Sequence, residues 1–495
     1  MRKSAARQIS FSIKLTEADL REGHSMAAMT QSPARQIIDD FAAEIQKRKF
    51  LGAKPATEVI NFRTDLRDNR ERPIYRVPIE LLRFRKDNGR ISSDVADYIK
   101  NIGPLGETSE DDQKIIGQFL YEKDPEKTSI LRQSIIHTSQ QKPAIITCDG
   151  FLIDGNRRKL VMEQLHEEFP DNQDYSFMKV VILPGKDDEG GPPTLLEIEK
   201  LENRYQLQSD GKSEYFGFDR ALSIKRKIKV GLTLRDQLMD DPQYAGADDT
   251  ALEKAEKETY KKYLRPLECA DRYLKQFNRE GQYRTVSKGM SDPSGRWQAF
   301  IDYSDIYTTN FENPKKRVEL GIDEDEIGAI EEAAFDIIRL RHIPDMPKVH
   351  TIMRNLPKYC SNEEGKKQVI KIAEDVSPLL TPAESQDKDG RYLSVDEADA
   401  KWASKNQQVI IYRLKKASTT HEIQKERETP LELLEAAYKK LTHQDMVPDS
   451  VTASDCHRAR DMAAKVQERA HELEQEFYRM DKNYKKLLGR AGADA

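Results

Sequence analysis

Residue 195 separates two kinds of pattern in this chain. Ahead of it, short apolar runs of strand type alternate with helical stretches; beyond it, apolar residues keep a helical spacing to the C-terminus. A period that changes once and stays changed predicts an α+β domain followed by a large all-α region. The strand-type runs are "IYRVPIELLRF" (74–84), "KPAIITCDGFLID" (142–154) and "SFMKVVIL" (176–183). Asp149-Gly150 predicts a hairpin turn inside the second, and Asn88-Gly89 a turn after the first. Helical spacing is predicted for "SSDVADYIKNI" (92–102), "TSILRQSIIHT" (128–138) and a segment from Asn156 that buries Leu160, Val161 and Leu165. Residues 103–128 read as a charged insertion with some helix. The expected division is a polar extension over 1–55 with one short helix, an α+β domain over 56–195, a helical domain over 196–300 and a C-terminal helical domain over 301–495.

Composition narrows the classes. The chain has 495 residues, 34% of them charged, and a formal net charge of -5. A nucleic-acid surface must therefore be local. Cys148, Cys269, Cys360 and Cys456 are scattered and form no CxxC pair, which argues against a zinc knuckle or a disulfide framework. A reducing, cytoplasmic setting is expected. The N-terminus lacks the apolar core of a signal peptide, and no apolar run is long enough to span a bilayer, so no membrane partner is expected. The histidines do not cluster.

The most informative stretch is "FLIDGNRRKLVMEQL" (151–165). Arg157 and Arg158 fall in the first turn of the expected helix, where backbone N–H groups already carry partial positive charge and acidic residues are preferred. An anion resolves the conflict. Free N–H groups at a helix start suit a phosphate, two guanidinium forks can grip its oxygens, and Gly155 permits a sharp turn and close approach. Either Asp154 or Asn156 can cap the helix. On spacing alone, two surface arginines after a hairpin fit equally well.

The order of elements around this box resembles the ParB/sulfiredoxin superfamily. ParB partition proteins carry Gly-Glu-Arg-Arg where this chain has Gly155-Asn156-Arg157-Arg158. "VPIELLRF" is similar to the family's opening strand, and "SIIHTSQQKPAIIT" to its helix, link and second strand. Downstream, Glu202 and Asn203 match a family Glu-Asn pair, but Gln206 replaces the following Arg. The likeness spans about residues 72–240. It implies binding of CTP or another nucleoside triphosphate at Asp154–Arg158, with Mg2+ near Glu202 and Asn203. It also implies a DNA-associated role at a bacterial plasmid, phage or defence locus, with protein partners encoded nearby. Sulfiredoxins place a nucleophilic Cys where Asn156 stands, so sulfur reduction is not expected. The alternative on the same scaffold is an enzyme: an NTPase, a phosphotransferase or a metal-dependent nuclease. Glu202 would be catalytic, with Asp154 and Asp149 as further carboxylates.

Residues 211–290 hold 17 Lys+Arg against 13 Asp+Glu. "RALSIKRKIKVGLTLRDQL" is similar to the family's lead into a helix-turn-helix, which "LTLRDQLMD" and "TALEKAEKETYKKYLRPL" would form. Lys225, Arg226, Lys227, Lys229, Lys254, Lys257, Lys261 and Lys262 are the candidate phosphate contacts for DNA. The bland reading of the second group is a solvated face with Glu–Lys pairs. "DGKSEY" is no P-loop, because Gln206 stands where its first Gly is needed; Lys212 reads as a loop residue. Trp297, Phe300, Tyr303, Tyr307 and Phe311 read as helix core. Met462, Val466, Ala470, Leu473, Phe477, Met480, Tyr484 and Leu487 trace a heptad seam. That seam either forms a homodimer or packs back on "PLELLEAAYKKLTHQ" (430–444), whose stripe is Leu433, Leu434, Ala437 and Leu441.

Overall fold

Alternation of side chains places the sheet between two cores. In the computed structural model, which describes residues 35–52, 56–63, 71–207, 217–244, 246–287, 296–388 and 390–491, five strands form one mixed sheet. They are β1 (Thr57–Val59), β2 (Glu71–Pro78), β3 (Ala144–Ile146), β4 (Leu152–Asp154) and β5 (Phe177–Ile182), in the order β1-β2-β5-β3-β4. β2 pairs antiparallel with β5, β5 runs parallel to β3, and β3 returns antiparallel as β4. Successive residues of a strand face opposite sides. Accordingly Ala144, Ile146, Met178 and Val180 enter one core, and Ile145, Val181 and Leu183 enter the other.

The first core is roofed by helices. These are α1 (Asp39–Arg48), α2 (Ser92–Asn101), α3 (Glu110–Lys123), α4 (Pro125–Thr138) and α5 (Asn156–Glu168), which contribute Ile45, Val95, Ile116, Ile135 and Val161 among others. The second face is covered by α6 (Leu195–Leu207) through Ile198 and Leu201. The short helix expected in the N-terminal extension is α1. Asp149 ties the segment before it to the sheet: its carboxylate accepts two 2.8 Å bonds from Arg35, one from Ile38 N and one from Thr147 Oγ1.

Beyond α6 the described residues are helical, as the periodicity predicts. α7 (Gly217–Lys229), α8 (Leu234–Met239) and α9 (Asp249–Thr259) share a small core of Ile224, Leu234, Leu238, Leu252 and Ala255. Thr233 and Asp236 form a reciprocal capping box that starts α8. A π-turn at Tyr260–Leu264 carries α9 into α10 (Arg265–Gln276). The larger helical core collects α10, α11 (Arg284–Ser287), α12 (Arg296–Ile306), α13 (Pro314–Glu319), α14 (Glu326–Arg339), α15 (Val349–Tyr359) and α16 (Glu363–Asp375) with the segments between them. The aromatic stripe lies there: Phe300, Tyr303 and Phe311 are fully buried, and Trp297 and Tyr307 pack against them.

At the centre of this core Asp399 accepts from Arg279 Nη2 at 2.8 Å and Arg339 Nε at 2.9 Å, with Arg296 Nη2 at 3.4 Å. Burial resists ionisation there, but the Arg279, Arg339 and Arg296 charges prevail and hold the carboxyl down at about 2. Arg339 also lies 4.2 Å over the Trp402 ring and 4.5 Å over Phe277.

The chain forms two compact units, residues 1–421 and 422–495. Helix α17 (Val395–Leu441) contributes Trp402, Ile410, Leu414 and Ala417 to the first. In the second unit, the end of α17 and α18 (Cys456–Ala491) leave their apolar stripes open. Leu433 is 65% exposed, Leu434 37%, Val466 40%, Phe477 39% and Tyr484 59%. A closed hairpin that buries both stripes is therefore not formed. The P-loop-like stretch around Lys212 and the side chains of Gln206 and Leu487 lie outside the described residues.

Candidate anion site at the start of α5

The turn from β4 into α5 is built on one glycine. Gly155 has φ of 102°, and a Cβ placed there would lie 2.6 Å from Ala144 Cβ. Only a residue without a side chain passes this close to β3 in that conformation. Gly155 is itself the N-cap, and no side chain caps α5. The expected cap by Asp154 or Asn156 is thus corrected. Asp154 instead holds Arg158, with Oδ2 2.5 Å from Nη2.

The two arginines of the box have different work. Arg158 Nη1 donates to Pro143 O at 2.9 Å and also to Lys142 O. Arg158 therefore fastens the entry of β3 to the first turn of α5, and its guanidinium is occupied by protein. Arg157 meets the junction of α3 and α4: its Nη2 lies 3.5 Å from Asp124 Oδ2, a long contact for a charged pair. The charge of Arg90, in the loop ahead of α2, also acts on it. Burial first, and then the Arg90 charge, push the Arg157 guanidinium down to about 10. Next to Arg157, Asn156 is buried and its Oδ1 has no hydrogen-bond partner. A half-buried guanidinium and a helix start with no side-chain cap meet here, a combination that suits an anion.

Glu202 and Asn203 stand behind the same loop, in a closed network. Glu202 Oε1 accepts from Gly89 N at 3.1 Å, and Oε2 lies 3.4 Å from Arg85 Nη1 and 3.7 Å from Arg226 Nη2. Burial opposes its charge, yet Arg226, Arg85 and Lys227 outweigh burial and hold the carboxyl below its ordinary range. Asn203 Oδ1 accepts from Lys227 Nζ at 2.9 Å, and its amide donates to Gln237 O at 3.0 Å. Burial is the largest influence on Lys227 and lowers it to about 8. The oxygens of Glu202 and Asn203 are committed to protein partners, so the pair does not fit the role of magnesium ligands or of a catalytic acid. What the network does is hold the Asn88–Ile91 loop, and with it Arg90, against α6 and α7.

The carboxylates named for a nuclease also fail to converge. Asp149 serves Arg35, Asp154 serves Arg158 and Glu202 serves Arg85. Among the described residues no group of three or more His, Cys, Asp and Glu is placed to hold a metal. Cys148 is buried, and burial raises its thiol to about 11, which suits a core residue rather than a nucleophile.

The basic helices divide likewise. Lys225 pairs with Asp271 at 2.7 Å, Arg226 with Glu199 at 2.9 Å, and Lys227 is buried on Asn203. These three hold helices together. Lys229, Lys254, Lys257, Lys261 and Lys262 are exposed, with Lys261 2.7 Å from Asp305. A nine-residue link, with one 3-10 turn at Pro242–Tyr244, separates α8 from α9. That is longer than a helix-turn-helix turn.

Arg90 and Arg85 are the site residues that the sequence reading missed. Both sit in "RFRKDNGR", which reads as a charged turn, and nothing in its spacing marks a partner in α5 or α6. Comparison with family models, with curated proteins and with solved structures returned no match. No helix among the described residues is long and apolar enough to cross a membrane.

Proposed function

We propose that this chain binds the phosphates of a nucleoside triphosphate at the start of α5, between Arg157 and Arg90, and that the bound state governs its association with DNA. The observation that carries the reading is the start of α5, where Gly155 leaves the helix without a side-chain cap next to the half-buried Arg157 guanidinium. A phosphate at the helix start would gain the α5 N–H groups as donors and charge-assisted bonds from the guanidiniums. The ParB-like order of elements points to CTP among the nucleotides. Magnesium would be held by the phosphates and water, since Glu202 and Asn203 are engaged.

The site adjoins the Asn88–Ile91 loop, which Glu202 ties to the helical half. Ligand binding there can bias the arrangement of α6 and α7 against the sheet, by no more than its differential affinity for the two arrangements. DNA contact falls to the exposed Lys229, Lys254, Lys257, Lys261 and Lys262, as backbone-phosphate contacts without base readout. A locus of plasmid, phage or defence type suits such a nucleotide-gated DNA binder.

The test is equilibrium binding of ATP, GTP, CTP and UTP, with and without Mg2+, followed by DNA binding with the preferred nucleotide present. Saturable binding of one nucleotide and a nucleotide-dependent gain in DNA affinity are expected. DNA affinity should fall steeply with salt, and each lysine removed should lower the salt slope by about 1. No nucleotide binding at millimolar concentration would remove the reading.

A further inference from the structure

The second unit carries an open seam whose shape and charge specify its partner. In α18 the seam keeps a strict heptad register from Cys456 onward. Cys456, Ala463, Ala470, Phe477 and Tyr484 stand at one core position, and Ala459, Val466, Leu473, Met480 and Leu487 at the other. A repeat of 3.5 residues follows a helix that supercoils about another helix, whereas packing on a globular core follows 3.6. Yet Val466, Phe477, Met480 and Tyr484 are all exposed in the single chain.

Side-chain size is graded along the seam. Its N-terminal half holds Cys, Ala, Ala, Val and Ala; its C-terminal half holds Leu, Phe, Met, Tyr and Leu. We infer that α18 pairs with α18 of a second copy of this chain in antiparallel orientation, centred between Ala470 and Leu473. In that register Ala470 faces Leu473 of the second copy, Val466 faces Phe477, Ala463 faces Met480 and Ala459 faces Tyr484. Every layer sets a smaller residue against a larger one, which is how a helical interface fills at even width. A parallel pair would stack Phe477 on Phe477 and Tyr484 on Tyr484 while leaving Ala463 on Ala463 and Ala470 on Ala470.

The flanking charges select the same orientation. Antiparallel pairing brings Arg469 beside Glu476 and Arg460 beside Asp481 of the second copy, each twice by symmetry. Parallel pairing gives Asp455 beside Arg460 and Arg469 beside Glu474 but sets Glu476 beside Asp481, a repulsion that occurs twice and that the antiparallel pair avoids. Shifting the antiparallel register by one heptad sets Arg469 against Arg469, or Glu476 against Glu476. The chain's own α17 is a poorer occupant. Between its exposed Ile423 and Leu431 it carries the charged Lys425, Glu426 and Arg427, which interrupt any apolar seam opposite the C-terminal half of α18.

This inference is independent of the nucleotide site. Its test uses the full chain and a native probe, because Cys456 is exposed while Cys148, Cys269 and Cys360 are buried. Light scattering after size exclusion should give a dimer, and Phe477→Glu should give a folded monomer of unchanged helicity. Under copper-phenanthroline oxidation the native dimer should form no Cys456 disulfide, because the two thiols lie roughly 47 Å apart along the axis. Ala459→Cys with Tyr484→Cys, in a Cys456→Ser background, should cross-link to a covalent dimer. A monomeric native chain, a dimer untouched by Phe477→Glu, or ready cross-linking through Cys456 would each overturn the inference.

Discussion

At the scale of single residues, two arginines that look alike in sequence are separated by what they touch. Arg158 is spent on Asp154 and two backbone carbonyls, so Arg158→Ala should cost stability, about 1–3 kcal/mol for the acceptors it leaves buried. Gly155→Ala should cost more, on the order of 2–4 kcal/mol, because it adds a left-handed strain to a 2.6 Å approach to Ala144. Arg157→Gln should cost less than either, since the 3.5 Å contact to Asp124 that it removes is long and a like charge beside Arg90 goes with it. Thermal unfolding of the three variants side by side checks this ordering. The sequence marks the box through its glycine and its misplaced positive charge, and both features are local. It does not divide the labour between the arginines. That depends on Pro143, Lys142 and Arg90, which only the folded chain brings near.

At the scale of elements, β2 to β5 and the helices follow from local pattern, while β1 and the nodes that lock the elements together do not. The turn at Asp149-Gly150, the helix from Asn156 and the aromatic core of α12 are legible as periodicity and turn chemistry. The closed network of Arg85, Glu202, Asn203 and Lys227 is not, because a Glu-Asn pair on a helix reads the same whether it faces a ligand or a buried arginine. Asp399 is the second such node and gives a prediction with a sign. Its carboxyl lies near 2 in the folded protein, below the ordinary value of about 4. Its stabilisation is thus fully present above that ordinary value, and is lost as pH falls through about 2. Asp399→Asn should cost roughly 3–5 kcal/mol at pH 7, as expected for breaking a buried charge pair. The gap from the native protein should narrow steadily below pH 4. Denaturant midpoints measured from pH 7 to pH 2 follow both the size and the narrowing; a gap that stays constant would mean that Asp399 is not the charge that matters.

At the scale of the whole molecule, the last strand of the sheet ends at Ile182, and the change of pattern at residue 195 coincides with the start of α6 at Leu195. The helical remainder is nonetheless continuous with the first unit up to residue 421, and the second unit starts inside α17. Nothing local to the sequence signals that break, because a helix shows the same period before and after it leaves a core. In the first unit the proposed anion site adjoins a loop that Glu202 ties to the helical half, so a ligand bound there would report to the rest of the fold. The most direct measurement is the affinity of the preferred nucleotide for the native protein, Arg90→Gln, Arg157→Gln and the double variant. Each single change should weaken binding at least about tenfold, as for a charge-assisted phosphate contact. The double variant should lose less than the product of the two, because both groups hold one phosphate. Affinity unchanged in both single variants, with folding intact, would contradict the account.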